Sequence, residues 1–290
     1  MDLELRHLRY FVAVAEELHF GRAARRLHMA QPPLSQQIRR LEAIVGAPLL
    51  VRTSRSVALT QAGEALLERA RRLLAAAQEG VDEAARIGRG EQGTLDVGFV
   101  SSAITLGVPE RIQAFRARFP GVHTRLHEGT TAMTLGRLTR GEVDVGIVRD
   151  AEPAAGVAAT TLATEGFVAV LPRAHPLARR RRLDAGALEG EPFVLYPRTA
   201  GELARRRNLQ PCADAGYEPA IVQEATNWVT VFHLVGVGTG VTIAPASAAE
   251  IRPATVVGIP LAGPARSQVQ LVTRAGDERA AVRNFAAAAP

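Results

Sequence analysis

Apolar positions near the start of the chain recur at helical spacing. Leu5, Leu8, Phe11, Val12, Ala15 and Leu18 form one stripe, which predicts an amphipathic helix over residues 4–18. Ala23, Ala24 and Leu27 repeat again after Gly21, read as a weak N-cap. His28 to Gln31 fill a turn. Pro32 and Pro33 can open a further helix, because the first helical turn has no use for their missing N–H. Leu34, Ile38, Leu41 and Val45 then follow as one stripe, and Gly46 stops it. The small Ala23–Ala24 pair lets two helices cross closely. Residues 20–46 therefore read as a helix-turn-helix, with the first helix completing a three-helix core and a polar loop after it.

From Thr60, a good N-cap, a single helical pattern runs from Ala62 to about Ile87. Its length would be about 40 Å at the usual rise per residue. Leu59, Gly63, Leu66, Ala70, Leu73, Ala77, Gly80, Ala84 and Ile87 keep a strict heptad seam, with charges off it. That is a coiled-coil pattern, and a lone exposed helix cannot bury such a stripe, so a dimer is expected. Gly88 to Gly93 break the pattern. Beyond it, strands and helices alternate: strand Thr94–Val100, helix Thr105–Phe119, strand Val122–Leu126, helix Thr130–Arg140 and strand Val143–Val148. This order predicts a parallel α/β sheet. Strand Gly166–Leu171 crosses to a second lobe. That lobe continues with strand Phe193–Tyr196, helix Gly201–Ala215, strand Ala220–Gln223, helix Asn227–Val237 and strand Val241–Ala244. Val256–Ile259 and Val269–Val272 lead back, and Glu278–Ala288 is the last helix.

Charge sharpens the reading of the first segment. Residues 1–58 hold nine arginines and five acids, whereas the remainder holds 26 against 24. The excess positive charge thus sits in the smallest part of the chain, as phosphate binding requires. The second helix of the pair offers Gln31, Pro32, Ser35, Gln36 and Arg39 on its polar side. Gln and Arg make bidentate contacts to base edges, and Ser reaches base or phosphate. Arg52 and Arg55 lie in the following loop, placed as a wing that reaches along the backbone. Double-stranded DNA is the expected partner, and paired heads imply a two-fold, inverted-repeat site. The bland alternative is an ordinary solvated arginine face.

The run AARRLHMAQPPLSQQIRRLEAIVGAPLLVRTSRSVALTQAG closely resembles the N-terminal domain of LysR-type transcriptional regulators, without gaps through residue 63. Weaker similarity continues to about residue 275. Gly21 and Leu50 depart from the usual residues, away from the expected reading face. The resemblance implies a winged helix-turn-helix (1–59), a dimerising linker helix (60–88), a hinge (89–93) and a two-lobed effector domain similar to periplasmic solute-binding proteins. Lobe I would comprise 94–164 and 267–290, and lobe II 165–266. It also implies a homodimer or homotetramer, activation of a catabolic operon with repression of the chain's own gene, and contact with RNA polymerase.

In open parallel sheets, ligands sit beyond the carboxyl ends of the strands. Ser101 and Ser102 follow the first strand of the sheet, Thr130 precedes its second helix, and Arg149 ends a strand. Hydroxyls at helix N-termini plus one guanidinium would cradle a small carboxylate. The motifs GFVSS and EGTTA and the strand-ending Arg resemble those of regulators of aromatic-compound and chlorocatechol degradation. Pro197, Thr199 and Asn227 are the candidates from the second lobe, with Trp228 as a wall. Simple helix capping by the Ser and Thr residues, and a surface Arg149–Asp150 pair, are the competing readings.

Other signals carry less. Gly236-Val-Gly238-Thr-Gly240 comes after a helix, the wrong order for a dinucleotide loop, and reads as a turn. No metal spacing, paired cysteine or nucleophile elbow occurs, so no metal, cofactor or enzymatic activity is expected. Arg179 to Arg182 read as a solvated loop edge, with contact to DNA or to a partner subunit as the competing readings. The single Cys212 and the lack of a signal peptide or a long apolar run fit a cytoplasmic protein without a membrane span. Two competing classes are a solute-binding protein and an enzyme carrying a DNA-binding appendage.

Overall fold

The computed structural model describes residues 3–53 and 56–288. They form two compact units, Met1–Ala85 and Arg86–Pro290.

The first unit begins with helices α1 (Leu5–Glu17), α2 (Phe20–Arg26) and α3 (Gln31–Val45). Hairpin strands β1 (Leu50–Arg52) and β2 (Val57–Leu59) follow, and then the long helix α4 (Gln61–Gly88). Phe11, Val14, Ala23, Leu34, Ile38, Leu41 and Leu49 fill the core. Three details differ from the sequence reading. Leu5 and Leu18 stand exposed, while Ala13 and Val14 are buried in their place, and Val45, the last member of the α3 stripe, is exposed. The cap of α2 is His19, not Gly21: its Nδ1 accepts from the backbone N–H groups of Gly21 (3.0 Å) and Arg22 (3.2 Å). A neutral imidazole nitrogen does here what a Ser or Asp oxygen usually does. Ala30 caps α3, with proline in its first turn as expected, and Gly46 closes it at φ +75°.

Helix α4 starts on the Thr60 cap, whose Oγ1 accepts from Gly63 N at 2.9 Å. Only Gly63 and Ala70 are buried along its length. Leu66 and Leu67 lean on the core, but Leu73, Val81 and Ile87 are exposed. The later part of the heptad seam thus has no partner within one chain.

The second unit starts with strand β3 (Gln92–Val100), helix α5 (Val108–Arg118), strand β4 (Gly121–Gly129), helix α6 (Thr131–Arg140) and strand β5 (Val145–Arg149). Strand β6 (Val157–Glu165) comes next, and β7 (Phe167–Pro172) enters a second lobe. There follow β8 (Pro192–Leu195), α7 (Glu202–Asp214), β9 (Ala220–Glu224), α8 (Trp228–Gly236), β10 (Thr242–Pro245) and β11 (Val256–Pro260). The chain returns through β12 (Ser267–Arg274) and ends in α9 (Ala280–Ala287).

The first lobe is a five-stranded sheet in the order β4-β3-β5-β12-β6. Strands β3, β4 and β5 are parallel, and β12 runs antiparallel to both its neighbours. Val97, Phe115, Val145, Ile147 and Phe285 lie in its core. Strand β6 was not expected: Val157–Glu165 is small and polar, and as an edge strand it buries none of its residues fully. The second lobe has an antiparallel β10-β7-β11 sheet and a parallel β8-β9 pair. Gly238, in the glycine-rich run, turns at φ +87° after α8. The lobes are joined where β6 meets β7 and where β11 leads to β12. The carboxyl ends of β3 and β5 face this junction.

Candidate functional site

Two places gather the chemistry. On the first unit, Gln31, Ser35 and Arg39 recur every four residues along α3. With Arg52, Thr53 and Ser56 of the hairpin they line a groove of about 420 Å³. Gln31, Gln36, Arg39 and Arg40 are exposed and Ser35 is half-buried, so this edge is open to a ligand. Pro32 is exposed beside it. Arg55 lies outside the described residues.

Arg52 is more tied than a reaching wing residue would be. Its Nη2 pairs with Glu42 Oε2 at 3.0 Å, and its Nη1 donates to Ser35 Oγ at 3.3 Å. Its guanidinium lies 4.7 Å over the Phe20 ring. Glu42 also accepts from the N–H groups of Leu49 (3.0 Å) and Leu50 (3.2 Å). One carboxylate thus ties α3 to the hairpin, and Arg52 braces that tie.

The second place is the floor between the lobes. Ser101, Ser102, Thr130, Thr131 and Arg149 from the first lobe meet Tyr196, Ala200, Thr226 and Trp228 from the second. The space between them is about 50 Å³, room for little more than water. Thr130 caps α6 by accepting from Met133 N at 3.2 Å. Its hydroxyl hydrogen and the first N–H groups of α6 remain for an anion, because a helix start leaves such donors unused. Trp228 meets Tyr196 edge-on at 5.3 Å and stacks on Phe232 at 5.4 Å. Burial drives the Tyr196 phenol far above its ordinary range, so it stays neutral.

Arg149 does not point a free fork into this space. It is buried, and all five of its N–H donors are taken. Nε donates to Ser102 Oγ (3.1 Å) and Nη2 to Ser102 O (2.9 Å) and Ser247 Oγ (3.1 Å). Nη1 donates to Glu165 Oε1 (2.6 Å) and Ser267 Oγ (3.0 Å). Glu165 in turn accepts from Ser247 N and Oγ, each at 2.6 Å. Next to it, Asp150 sits in the left-handed region at φ +46° and accepts from Ser267 Oγ (2.6 Å) and Gln268 N (2.8 Å). Burial raises the Asp150 carboxyl above its usual range, against the pull of those bonds. The surface Arg149–Asp150 pair considered from sequence is replaced by a buried network that joins both lobes.

A reading helix with a hairpin beside it, followed by a two-lobed α/β unit, is matched by known proteins. Residues 5–64 match the family described as "Bacterial regulatory helix-turn-helix protein, lysR family", and residues 88–289 match "LysR substrate binding domain". The chain belongs to the LysR family. It is similar to the regulator AlsR of Bacillus subtilis (strain 168), 42% identical over 86% of this chain and 82% of the relative. It is also similar to the Hca operon transcriptional activator HcaR of Escherichia coli (strain K12), 40% identical over 98% and 96%. Among solved structures, CbnR, a LysR family transcriptional regulator, superposes with a TM-score of 0.80 at 28% identity, covering 98% of this chain and 99% of CbnR. Full-length CbnR complexed with target DNA gives 0.79 at 29% identity, covering 98% and 97%.

This LysR-type protein is therefore a ligand-responsive, DNA-binding transcriptional regulator. The second-lobe residues expected from its sequence do not line this space. Pro197 precedes a short turn, Thr199 is exposed, and Asn227 Oδ1 caps α8 by accepting from Val229 N at 2.7 Å. Their neighbours Tyr196, Ala200, Thr226 and Trp228 line the space instead. Glu165 and Ser247 were missed altogether. Each lies far along the chain from the groups it touches, and neither stands in a motif. No helix among the described residues is long and apolar enough to cross a membrane.

Proposed function

We propose that this regulator acts in the cytoplasm as an activator of a catabolic operon and a repressor of its own gene, sensing a small carboxylate such as an aromatic-degradation intermediate. The observation that carries the ligand class is the cleft. Hydroxyls of Ser102 and Thr130 and the start of α6 converge opposite Tyr196 and Trp228, a polar end and an aromatic wall. The space, about 50 Å³, is smaller than such a molecule, so binding must move the residues that line it. A ligand then shifts the population of lobe arrangements only by its difference in affinity between them. The similarity to HcaR, a transcriptional activator, supports the activating reading.

Calorimetry with a panel of small aliphatic and aromatic carboxylates tests the cleft. A carboxylate that binds should lose about tenfold or more in affinity with Ser102→Ala combined with Thr130→Val, the equivalent of about 1.4 kcal/mol. Unchanged affinity in the double variant would place the ligand elsewhere.

Gln31, Ser35 and Arg39 read bases in the major groove, with Arg52 holding the hairpin in place for backbone contact. The exposed heptad positions Leu73 and Ile87 pair two chains, and two such pairs make a tetramer that grips an inverted-repeat promoter site. RNA polymerase is the further partner of an activator. Gln31→Ala should cost about 1–3 kcal/mol on the operator and almost nothing on unrelated duplex. A duplex with two half-sites should also bind more tightly than one with a single half-site. Equal loss on both sequences for Gln31→Ala would contradict base reading, and equal affinity for one and two half-sites would contradict the pairing of heads.

A further inference from the structure

We propose that the loop Arg179–Arg182 in the second lobe is a second DNA contact, a sequence-independent clamp on the phosphodiester backbone. The starting point is where charge lies outside the reading head. Residues 166–266 hold eleven arginines and eight acids, whereas residues 94–165 and 267–290 together hold ten of each. The surplus of residues 94–290 is thus confined to the second lobe, where four of the eleven arginines are consecutive.

These four are displayed, not stowed. All are exposed, and none makes a side-chain hydrogen bond or ion pair among the described residues. Most other arginines of the unit are engaged, such as Arg125 with Asp96, Arg198 with Glu202 and Arg279 with Asp277. Four adjacent guanidiniums without an acceptor repel one another, a cost that a polyanion would reverse.

The loop is also held firmly at both ends. Before it, His175 Nδ1 accepts from Leu177 N at 3.2 Å, and His175 Nε2 lies 3.2 Å from Glu191 Oε1. Arg180 N donates to Leu177 O at 3.0 Å. After it, Leu183 is buried and bridges to Leu261; its N–H donates to Pro260 O at 3.0 Å and its carbonyl accepts from Ala262 N at 2.8 Å. The nearest acid, Asp184, is used to cap the next turn through Gly186 N at 3.0 Å. The charges therefore stand on a fixed base, so little backbone ordering is lost on binding.

The chemistry favours DNA over an acidic protein. A protein interface needs an apolar or aromatic centre, and this loop shows none, since Leu183 is inward and Leu177 is half-covered. A phosphate backbone needs only charge and forked donors, which arginine supplies.

The test uses the full-length protein and a mixed-sequence duplex of about 60 base pairs, with affinity followed across salt concentrations; each phosphate contact contributes about 0.9 to the slope of log K against log [salt]. Replacing all four residues by glutamine (R179Q/R180Q/R181Q/R182Q) should lower that slope by up to about 3.6 per loop engaged, and affinity at low salt by tenfold or more. The four-lysine variant should keep most of the slope, because backbone charge is read without base geometry. An unchanged Tm of the glutamine variant shows that the loop is not needed for folding. A wild-type slope in the glutamine variant would overturn the clamp while leaving the reading head intact. A four-lysine variant that behaves like the glutamine one would overturn it too, by pointing to geometry instead of charge. Failure of the wild-type protein to bind any duplex would remove the DNA-reading head and the clamp together.

Discussion

Arg149→Ala should destabilise the effector unit by about 3–5 kcal/mol, the usual cost of removing one partner from a buried ion pair. The cause is what the substitution leaves behind. Arg149 is 3% exposed and Glu165 13% exposed at the side chain, and they meet at 2.6 Å. Without the guanidinium, Glu165 keeps only Ser247 among the described residues, and the Ser102 carbonyl and Ser267 hydroxyl lose a donor. A unit of this size should then melt about 10 °C lower. Removing both charges with Arg149→Met and Glu165→Gln should recover much of the loss, since no unpaired ion remains. The three-helix core of the first unit is untouched, so half-site DNA binding should persist in either variant. A drop below about 1 kcal/mol for Arg149→Ala, set against the expected range, would mean the network is not a closed unit. This expectation also reorders the ligand tests. Loss of response in Arg149→Ala reports the collapse of a lobe junction, and Ser102→Ala removes an acceptor from the same network, whereas Thr130→Val, outside it, probes the cleft itself.

The difference between reading Arg149 as a ligand clamp and finding it as a junction shows what sequence carries. Its place at the carboxyl end of β5 was legible, because a strand followed by a helix or turn fixes where the end of the sheet lies. What it touches was not legible, since Glu165 and Ser247 come from another strand and another lobe. The second-lobe candidates stand one position away from the residues that line the present space. Tyr196 lines the cleft and Pro197 does not; Thr226 and Trp228 do and Asn227 between them does not. In extended chain a single step turns the side chain to the other face, so an error of one residue reverses the assignment. The helices of the first unit were read more fully. Leu34, Ile38 and Leu41 are all fully buried, and helical periodicity forgives an error of one position better than a strand does. Leu5 and Leu18 still failed, because a helix at the rim of a small core buries a narrower stripe than its pattern offers. Strand β6 left no signal to read: Val157–Glu165 pairs along one edge only and buries almost nothing.

Gly63→Ala should lower the stability of the DNA-binding unit, although alanine is normally the better helix residue by about 0.5–1 kcal/mol. Position 63 sits in the first turn of α4 with ordinary helical geometry, so backbone freedom is not the reason for glycine. Space is. A Cβ there would fall 2.1 Å from the Leu49 carbonyl oxygen and 3.0 Å from Leu59 Cδ2. The first of these is backbone and cannot swing aside. The same few residues are bolted together: Thr60 N donates to Leu49 O at 3.0 Å, Thr60 Oγ1 donates to Pro48 O at 2.8 Å and accepts from Gly63 N at 2.9 Å. Leu49 and Leu50 are in turn held by Glu42 of α3. Moving the Leu49 carbonyl therefore shifts the hairpin away from the reading helix, and with it Arg52 and one wall of the groove. Overpacking of this kind costs about 1–3 kcal/mol, which should exceed the helical gain and lower the melting point of so small a unit by several degrees. Operator affinity should fall as well, because the hairpin no longer meets the backbone while α3 sits in the groove. Thermal unfolding and operator titration of Gly63→Ala check both halves. A variant that melts at or above the wild-type temperature and binds the operator as tightly would show that α4 can slide without moving the hairpin, and that the contact at Leu49 does not set the geometry of the head.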